Sequence, residues 1–390
     1  MRRLCTLLGM PQNRFASIHV VGTNGKTSVT RMTAALLEAH GVRTGAYVSP
    51  HITSWRERVL IRGEPISEEA FTHALERAEE SARTADRVAG DEGPVTQFEL
   101  LTAAAFVAFA QARVQYAVIE AGLGGRLDAT NVIPSQLTVL TSVGYDHTEW
   151  LGETLEKIAA EKVAVLRDHT KLLTGPLPPE AWSVVRREAE VRHAKVMSVD
   201  LEVDPGPPTY RDWNQTLAEG AASMVVGRLD PDADAALNEM VIPGRAQFEP
   251  GDPPAIYDAA HNLDGARALA EALPRLSDGR EVVCCLAILE GKDAPGIVNA
   301  LAPAVSRFVC TEIPPERIEG SGRPGGRSRP ALEIDALCRR AGVEAEAIAD
   351  PSAAWGRARE LARERGGVAL AAGSHYLLSS LWTERPARSS

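Results

Sequence analysis

Aromatic residues make up only 5% of this 390-residue chain, and cysteine occurs five times. The cysteines (Cys5, Cys284, Cys285, Cys310 and Cys338) are odd in number and form no Cys-x-x-Cys pair, which removes the usual grounds for a disulfide framework. Three of them sit in apolar runs, as buried free thiols in a reducing compartment do. No stretch approaches the roughly 20 apolar residues needed to span a bilayer. The twin arginine at Arg2 and Arg3 is followed by too short an apolar run for a signal peptide. Positive charge is also scarce: 42 Lys and Arg against 52 Asp and Glu leave a net charge of −10, which argues against broad nucleic-acid or anionic-membrane binding. An anionic ligand would need a local positive site. The expectation is a cytoplasmic protein with no membrane or nucleic-acid partner.

What the chain does have is an alternation of short apolar strands and helical stretches, in a length too great for one ordinary core. Hydrophobic residues at 44% and charged residues at 24% are globular values. The reading divides the chain into residues 1–240, an α/β P-loop nucleotide-binding domain with a mostly parallel sheet, and residues 241–390, a smaller Rossmann-like α/β domain.

The P-loop assignment rests on Ser17 to Thr30: an apolar strand, a glycine-bracketed turn and the first turn of a helix. Gly22-Thr23-Asn24-Gly25-Lys26-Thr27-Ser28 carries the Gly-Lys-[Ser/Thr] tail of a phosphate loop, although His19 and Val20 stand where the full spacing would put another glycine. Glycines let backbone N–H groups close around phosphate oxygens, and a helix N-terminus favours negative charge. Lys26 would reach the outer phosphates, and Thr27 or Ser28 would offer a hydroxyl to Mg²⁺. By itself the motif is common, and an ordinary strand–turn–helix with a surface lysine fits it as well.

Three further strands end on residues of interest. Thr44 to Ser49 closes on Ser49-Pro50-His51, Val114 to Glu120 ends on a carboxylate, and Gln136 to Val143 runs into Gly144-Tyr-Asp-His147. Ligands in nucleotide-binding α/β sheets sit outside the carboxyl ends of parallel strands, where an acidic residue suits Mg²⁺. In the helix Thr154 to Arg167, Lys162 falls on the same face as Leu155, Ile158, Ala159 and Leu166. Its stem could snorkel past apolar neighbours to water, or its head could face the site. Lys157 and Glu161 read as a surface i,i+4 pair. Residues 55–65 read as an exposed, partly extended segment, 204–208 as a break and 314–330 as a mobile loop.

Taken in order, several runs resemble the folylpolyglutamate synthase/dihydrofolate synthase family of the Mur ligase superfamily. They are Gly22-Thr-Asn-Gly-Lys26, Ser49-Pro-His51 with Glu57-Arg58, and Glu120-Ala-Gly-Leu-Gly-Gly-Arg-Leu-Asp-Ala-Thr-Asn131. Asp146-His-Thr-Glu-Trp-Leu-Gly152, Glu161-Lys162, Pro243-Gly-Arg245, Asp258-Ala-Ala-His-Asn262 and Gly373-Ser-His-Tyr376 follow. The resemblance implies an ATP-dependent ligase joining L-glutamate to dihydropteroate or a reduced folate through an acyl phosphate. It implies ATP phosphates on the loop around Lys26, Mg²⁺ on Ser49, Glu120 and His147, and a second Mg²⁺ on Lys162 carried as a carbamate. It also implies a nucleotide held by Asn214, Arg245, Asp258 and His261, the last three from the C-terminal domain, which would contribute to the ATP and glutamate sites. Lys26, His147 and Lys162 would be the catalytic groups, and a monomer is the simplest expectation. Thr27 departs from the glycine usual in the folate branch and favours the alternative of a cell-wall peptide ligase; a non-catalytic nucleotide-binding relative is the other rival.

Overall fold

The structure, a computed structural model, describes residues 1–88, 93–201, 208–230, 233–238, 240–320 and 325–382. The chain divides into two compact units, Met1–Met240 and Val241–Ser390, each built on its own sheet. Among the described residues no helix is long and apolar enough to cross a membrane.

The N-terminal sheet has eight strands: β1 (Ala16–Val21), β2 (Thr44–Tyr47), β3 (Val59–Ile61), β4 (Glu64–Pro65), β5 (Tyr116–Glu120), β6 (Leu137–Leu140), β7 (Lys171–Thr174) and β8 (Lys195–Ser198). Their order is β4-β3-β2-β5-β1-β6-β7-β8, parallel from β2 to β8, with β3 and β4 antiparallel at one edge. Strands covered on both faces are largely apolar, and in β1 Ile18, Val20 and Val21 are buried together with Ser17 and His19. Register brings the carboxyl ends level: Val20 pairs Glu120, Val21 pairs Leu140 and Tyr47 pairs Ile119. The segments that leave β1, β2, β5 and β6 therefore open onto one rim.

The segment 55–65 is exposed only over 62–65. Trp55–Arg58 forms a single 3₁₀ turn, and β3 then pairs with β2, burying Val59 and Leu60. The extended part of the expectation holds, and pairing against β2 buries 58–60, which left unpaired would be solvated. The expected loop at 314–330 instead contains the helix Pro315–Gly320 and a bridge between Leu289 and Ser328, with 321–324 outside the described residues. The expected break at 204–208 lies, but for Pro208, outside them too.

The C-terminal sheet contains β9 (Gln247–Glu249), β10 (Ala255–Tyr257), β11 (Val282–Leu286), β12 (Arg307–Cys310), β13 (Glu344–Ala347) and β14 (Val368–Ala372) in the order β13-β12-β11-β14-β10-β9. All pairs are parallel except β10 with β9. All five cysteines are buried and free; Cys310 and Cys338 stand 3.8 Å apart.

The helix Gln97–Gln111 packs one core of the N-terminal unit. Thr96 caps it, accepting from the Glu99 amide, and Ala103, Ala104 and Ala105 let it lie close to the sheet. Phe109 fills the gap left by Gly45 of β2, where a Cβ would stand 2.7 Å from its ring, and it meets Phe15 edge-on at 5.8 Å. Phe109→Ala should therefore lower stability by about 3–5 kcal/mol. The measurement is a urea midpoint at unchanged slope; a loss under about 1 kcal/mol would contradict this packing.

Candidate active site

The loop after β1 is shaped by its neighbours as much as by its own glycines. Gly22 has φ +153, and a Cβ there would lie 1.9 Å from Thr141 Oγ1. Gly25 has φ +83, and a Cβ there would lie 2.3 Å from Asn214 Oδ1. Only glycine fits at either position. The Thr23 hydroxyl accepts from Gly144 N at 3.0 Å and lies 3.1 Å from the Gly144 carbonyl. The Asn24 amide donates to Ser142 Oγ at 2.9 Å, while Thr141 Oγ1 donates to the Asn24 carbonyl. The exit of β6 thus holds the loop open. The helix Lys26–Ala39 that follows has no side-chain N-cap hydrogen bond, which leaves its terminus suited to an anion.

Lys26 folds back over this loop, its Nζ donating to the carbonyls of Gly22 and Thr23 at 3.1 Å each. Of the two hydroxyls offered by sequence, Ser28 is buried in the helix, whereas Thr27 Oγ1 donates to Glu120 Oε1 at 3.0 Å. The Ser49 amide donates to Glu120 Oε2 at 3.1 Å. Glu120 is buried at the end of β5, so the level strand ends bring Thr27, Ser49 and Glu120 together. His51, two residues on, belongs to a strut. Its Nδ1 accepts from Arg58 Nε at 3.0 Å, its ring lies 4.2 Å from that of Trp55, and burial beside Arg58 pushes its pKa down to about 4.

Lys162 does not snorkel. It is 3% exposed, on the buried face with Ile158, Ala159 and Val163, and its Nζ donates to the Gly22 carbonyl at 2.8 Å. Burial, and then the charge of Lys26, push its pKa down to about 7 against the pull of Asp146 and Asp128. One carbonyl therefore accepts from two lysines. Glu161 turns the other way: Arg126 Nε donates to it at 2.8 Å, in place of the expected pairing with Lys157. A partner 35 residues away in sequence outcompetes the i+4 neighbour because the glycine-rich run 122–125 lies against the helix.

His147 takes a left-handed conformation (φ 51) at the start of the short helix Thr148–Leu151. Its ring faces Asp146 at 3.9 Å and Glu149 at 3.8 Å. Among the described residues no three His, Cys, Asp or Glu side chains converge as a metal site. A cation at this rim would depend on hydroxyl oxygens beside the carboxylate.

The C-terminal unit gathers its own group at the ends of β10 and β14. Asp258 is buried and accepts from the amides of Ala246 at 2.7 Å and Ala260 at 2.8 Å. Arg245 Nη1 donates to the Gly244 carbonyl at 3.2 Å, and its Nη2 lies 3.3 Å from His375 Nε2. The rings of His261 and His375 are 5.3 Å apart. His375, Thr141 and Ser142 were missed as site residues from sequence. For Thr141 and Ser142 the signal was there, as polar residues directly after the apolar strand β6.

Residues 20–203 match the Mur ligase middle domain, and residues 244–375 match the Mur ligase glutamate ligase domain. The dihydrofolate synthase/folylpolyglutamate synthase of Mycobacterium tuberculosis is 35% identical over 383 residues, covering 87% of this chain and 76% of the relative. The solved structure of Mycobacterium tuberculosis folylpolyglutamate synthase complexed with ADP and AMPPCP matches with a TM-score of 0.89 and 31% identity, over 99% of this chain and 95% of that one. The bifunctional folylpolyglutamate synthase/dihydrofolate synthase of Yersinia pestis, complexed with AMPPNP and a Mn ion, matches with a TM-score of 0.82 and 26% identity, over 98% and 92%. Two consecutive Mur ligase matches, with a relative of this identity along most of both chains, mean that the chain belongs to the folylpolyglutamate synthase/dihydrofolate synthase family of Mur ligases.

Proposed function

We propose that this protein is an ATP-dependent ligase that joins the amine of L-glutamate to the carboxylate of dihydropteroate or a reduced folate, releasing ADP and phosphate. The observation that carries the reading is the convergence of Lys26 and Lys162 on the Gly22 carbonyl, at a helix terminus with no side-chain cap. The charge of Lys26 at an uncapped helix terminus calls for an anion, and relatives of this architecture are solved with ADP, AMPPCP and AMPPNP.

The substrate carboxylate attacks the γ-phosphorus, ADP leaves, and an acyl phosphate forms. The glutamate amine then attacks the acyl carbon, loses a proton and expels phosphate. The first step is phosphoryl transfer, so the protein's share is positioning and charge neutralisation. Lys26 exchanges its two loop carbonyls for phosphate oxygens. A hard divalent cation fits the Glu120 carboxylate and the Thr27 hydroxyl beside it, and Ser49, whose amide already holds Glu120, would add its hydroxyl. Magnesium at this position, with His147 as a further ligand, would neutralise charge on the phosphates. Lys162, buried with a pKa near 7, is poised as a neutral amine, the form that adds CO₂; its carbamate would serve a second Mg²⁺. Asn214, seated against Gly25, and Arg245, Asp258 and His261 of the C-terminal unit are assigned to the nucleotide. The cell-wall ligase that Thr27 favoured gives way, because the relatives matched along most of the chain are dihydrofolate and folylpolyglutamate synthases.

The deciding assay crosses dihydropteroate and tetrahydrofolate with glutamate and follows ADP. Release is expected to require glutamate together with at least one of the two pterin substrates; release without either pterin would refute the assignment. Lys26→Ala and His147→Ala are each expected to stay folded and to lose activity by at least about a hundredfold, the scale of one electrostatic group in a transition state. Near-normal ADP release from either purified variant would remove that residue from the mechanism.

A further inference from the structure

The run Gly122 to Asn131 touches the helix that carries Lys162 and the strand that leads into Gly22, without supplying either partner of their hydrogen bond. Against the helix Leu155–Val163 the approach is very close. A Cβ on Gly125 would stand 2.6 Å from the Glu161 carbonyl oxygen, 2.8 Å from that of Lys162 and 2.9 Å from Val165 Cγ1. Gly125 does not have the positive φ of Gly124, so its backbone would accept a side chain and only the helix excludes one. The next residue reinforces the contact: Arg126 N donates to the Glu161 carbonyl at 3.1 Å and Arg126 Nε to the Glu161 carboxylate at 2.8 Å. Asn131 Nδ2 holds the Arg126 carbonyl at 2.9 Å, and Arg167, just beyond the helix, donates to the Asn131 carbonyl at 2.7 Å.

The other end of the run is fastened to β1, the strand that leads into Gly22. Half-buried Asp128 accepts from Leu123 N at 2.8 Å, from Thr130 N at 2.9 Å and from the Thr130 hydroxyl. Thr130 Oγ1 in turn lies 2.8 Å from Nε2 of His19 on β1. Because that hydroxyl spends its proton on Asp128, His19 donates from Nε2. Burial holds the ring neutral, its pKa pushed down to about 3. One short run is therefore bonded both to the strand that leads into Gly22 and to the helix that carries Lys162.

We propose that Gly125 is a positioning residue: through its contact with the Glu161 and Lys162 carbonyls it fixes the helix at the depth that seats Lys162 on the Gly22 carbonyl. Added as alanine, the methyl forces those carbonyls back by roughly half an ångström or more, a displacement on the scale that costs active sites their geometry. The effect on turnover rests on the role assigned to Lys162 above; the effect on the lysine itself does not.

The test is limiting acetylation of the full chain with acetic anhydride, with modification of Lys162 mapped by mass spectrometry and expressed against exposed Lys157 of the same helix. In Gly125→Ala the Lys162 ratio should rise at least about tenfold and kcat for ADP release should fall at least about tenfold. Leu127→Ala, whose side chain is 92% exposed in the same run, should leave the Lys162 ratio at the wild-type value. If Gly125→Ala does not fold, Arg126→Ala should move the ratio in the same direction by less, and Arg126→Lys should restore part of it. An unchanged ratio in a folded Gly125→Ala, or in Arg126→Ala if it stands in, overturns the proposal. A raised ratio with normal turnover supports the positioning and refutes the catalytic role of Lys162.

Discussion

The backbone carbonyl of Gly22 accepts hydrogen bonds from Lys26 and Lys162, and the geometry of the N-terminal unit follows from making that arrangement possible. Lys26 arrives from the helix just after the loop, Lys162 from a helix more than a hundred residues later, and the second ammonium is buried. Burial, and then repulsion from the Lys26 charge at the same oxygen, push the Lys162 pKa down to about 7. As a neutral amine Lys162 escapes that repulsion, and Lys26 keeps its charge for a polyphosphate at the loop. A net charge of −10 on the whole chain is compatible with this, since the positive potential is confined to a few ångströms around one loop.

Sheet order supplies the rest. With β1 between β5 and β6, and β2 beyond β5, parallel register sets four carboxyl ends at one level. Glu120 then receives Thr27 and Ser49 without any long side chain having to reach, and Thr141 and Ser142 brace the phosphate loop from the opposite side. A parallel sheet gathers short polar residues from distant points of sequence, which the connectivity alone does not reveal.

Much of this was legible from the residues. Apolar strands ending on Ser49 and Glu120 marked one rim, and helical spacing put Lys162 on an apolar face, which is where its head lies. Which way that head pointed was not legible, because snorkelling and burial share one pattern and only the position of β1 decides between them. The Arg126–Glu161 pair, the Thr27–Glu120 hydrogen bond and the seating of Asn214 against Gly25 each depend on tertiary register. Local spacing favoured Lys157 for Glu161 and was overridden. The short strands β3, β4 and β9 were missed for a related reason: two or three residues carry no periodicity, and their pairing is imposed by an edge. In the C-terminal unit, Arg245, Asp258 and His261 were singled out only through the family resemblance, and His375 became visible when β10 and β14 proved to be neighbours.

The central claim is that one substrate carboxylate oxygen passes to phosphorus before the amide bond forms. Positional isotope labelling tests it directly, with both carboxylate oxygens of the pterin substrate as ¹⁸O and the released phosphate analysed by mass spectrometry. A single ¹⁸O in each phosphate, with the other retained in the amide, is the result expected of an acyl phosphate. Phosphate released without label, while amide forms at the normal rate, would contradict the account.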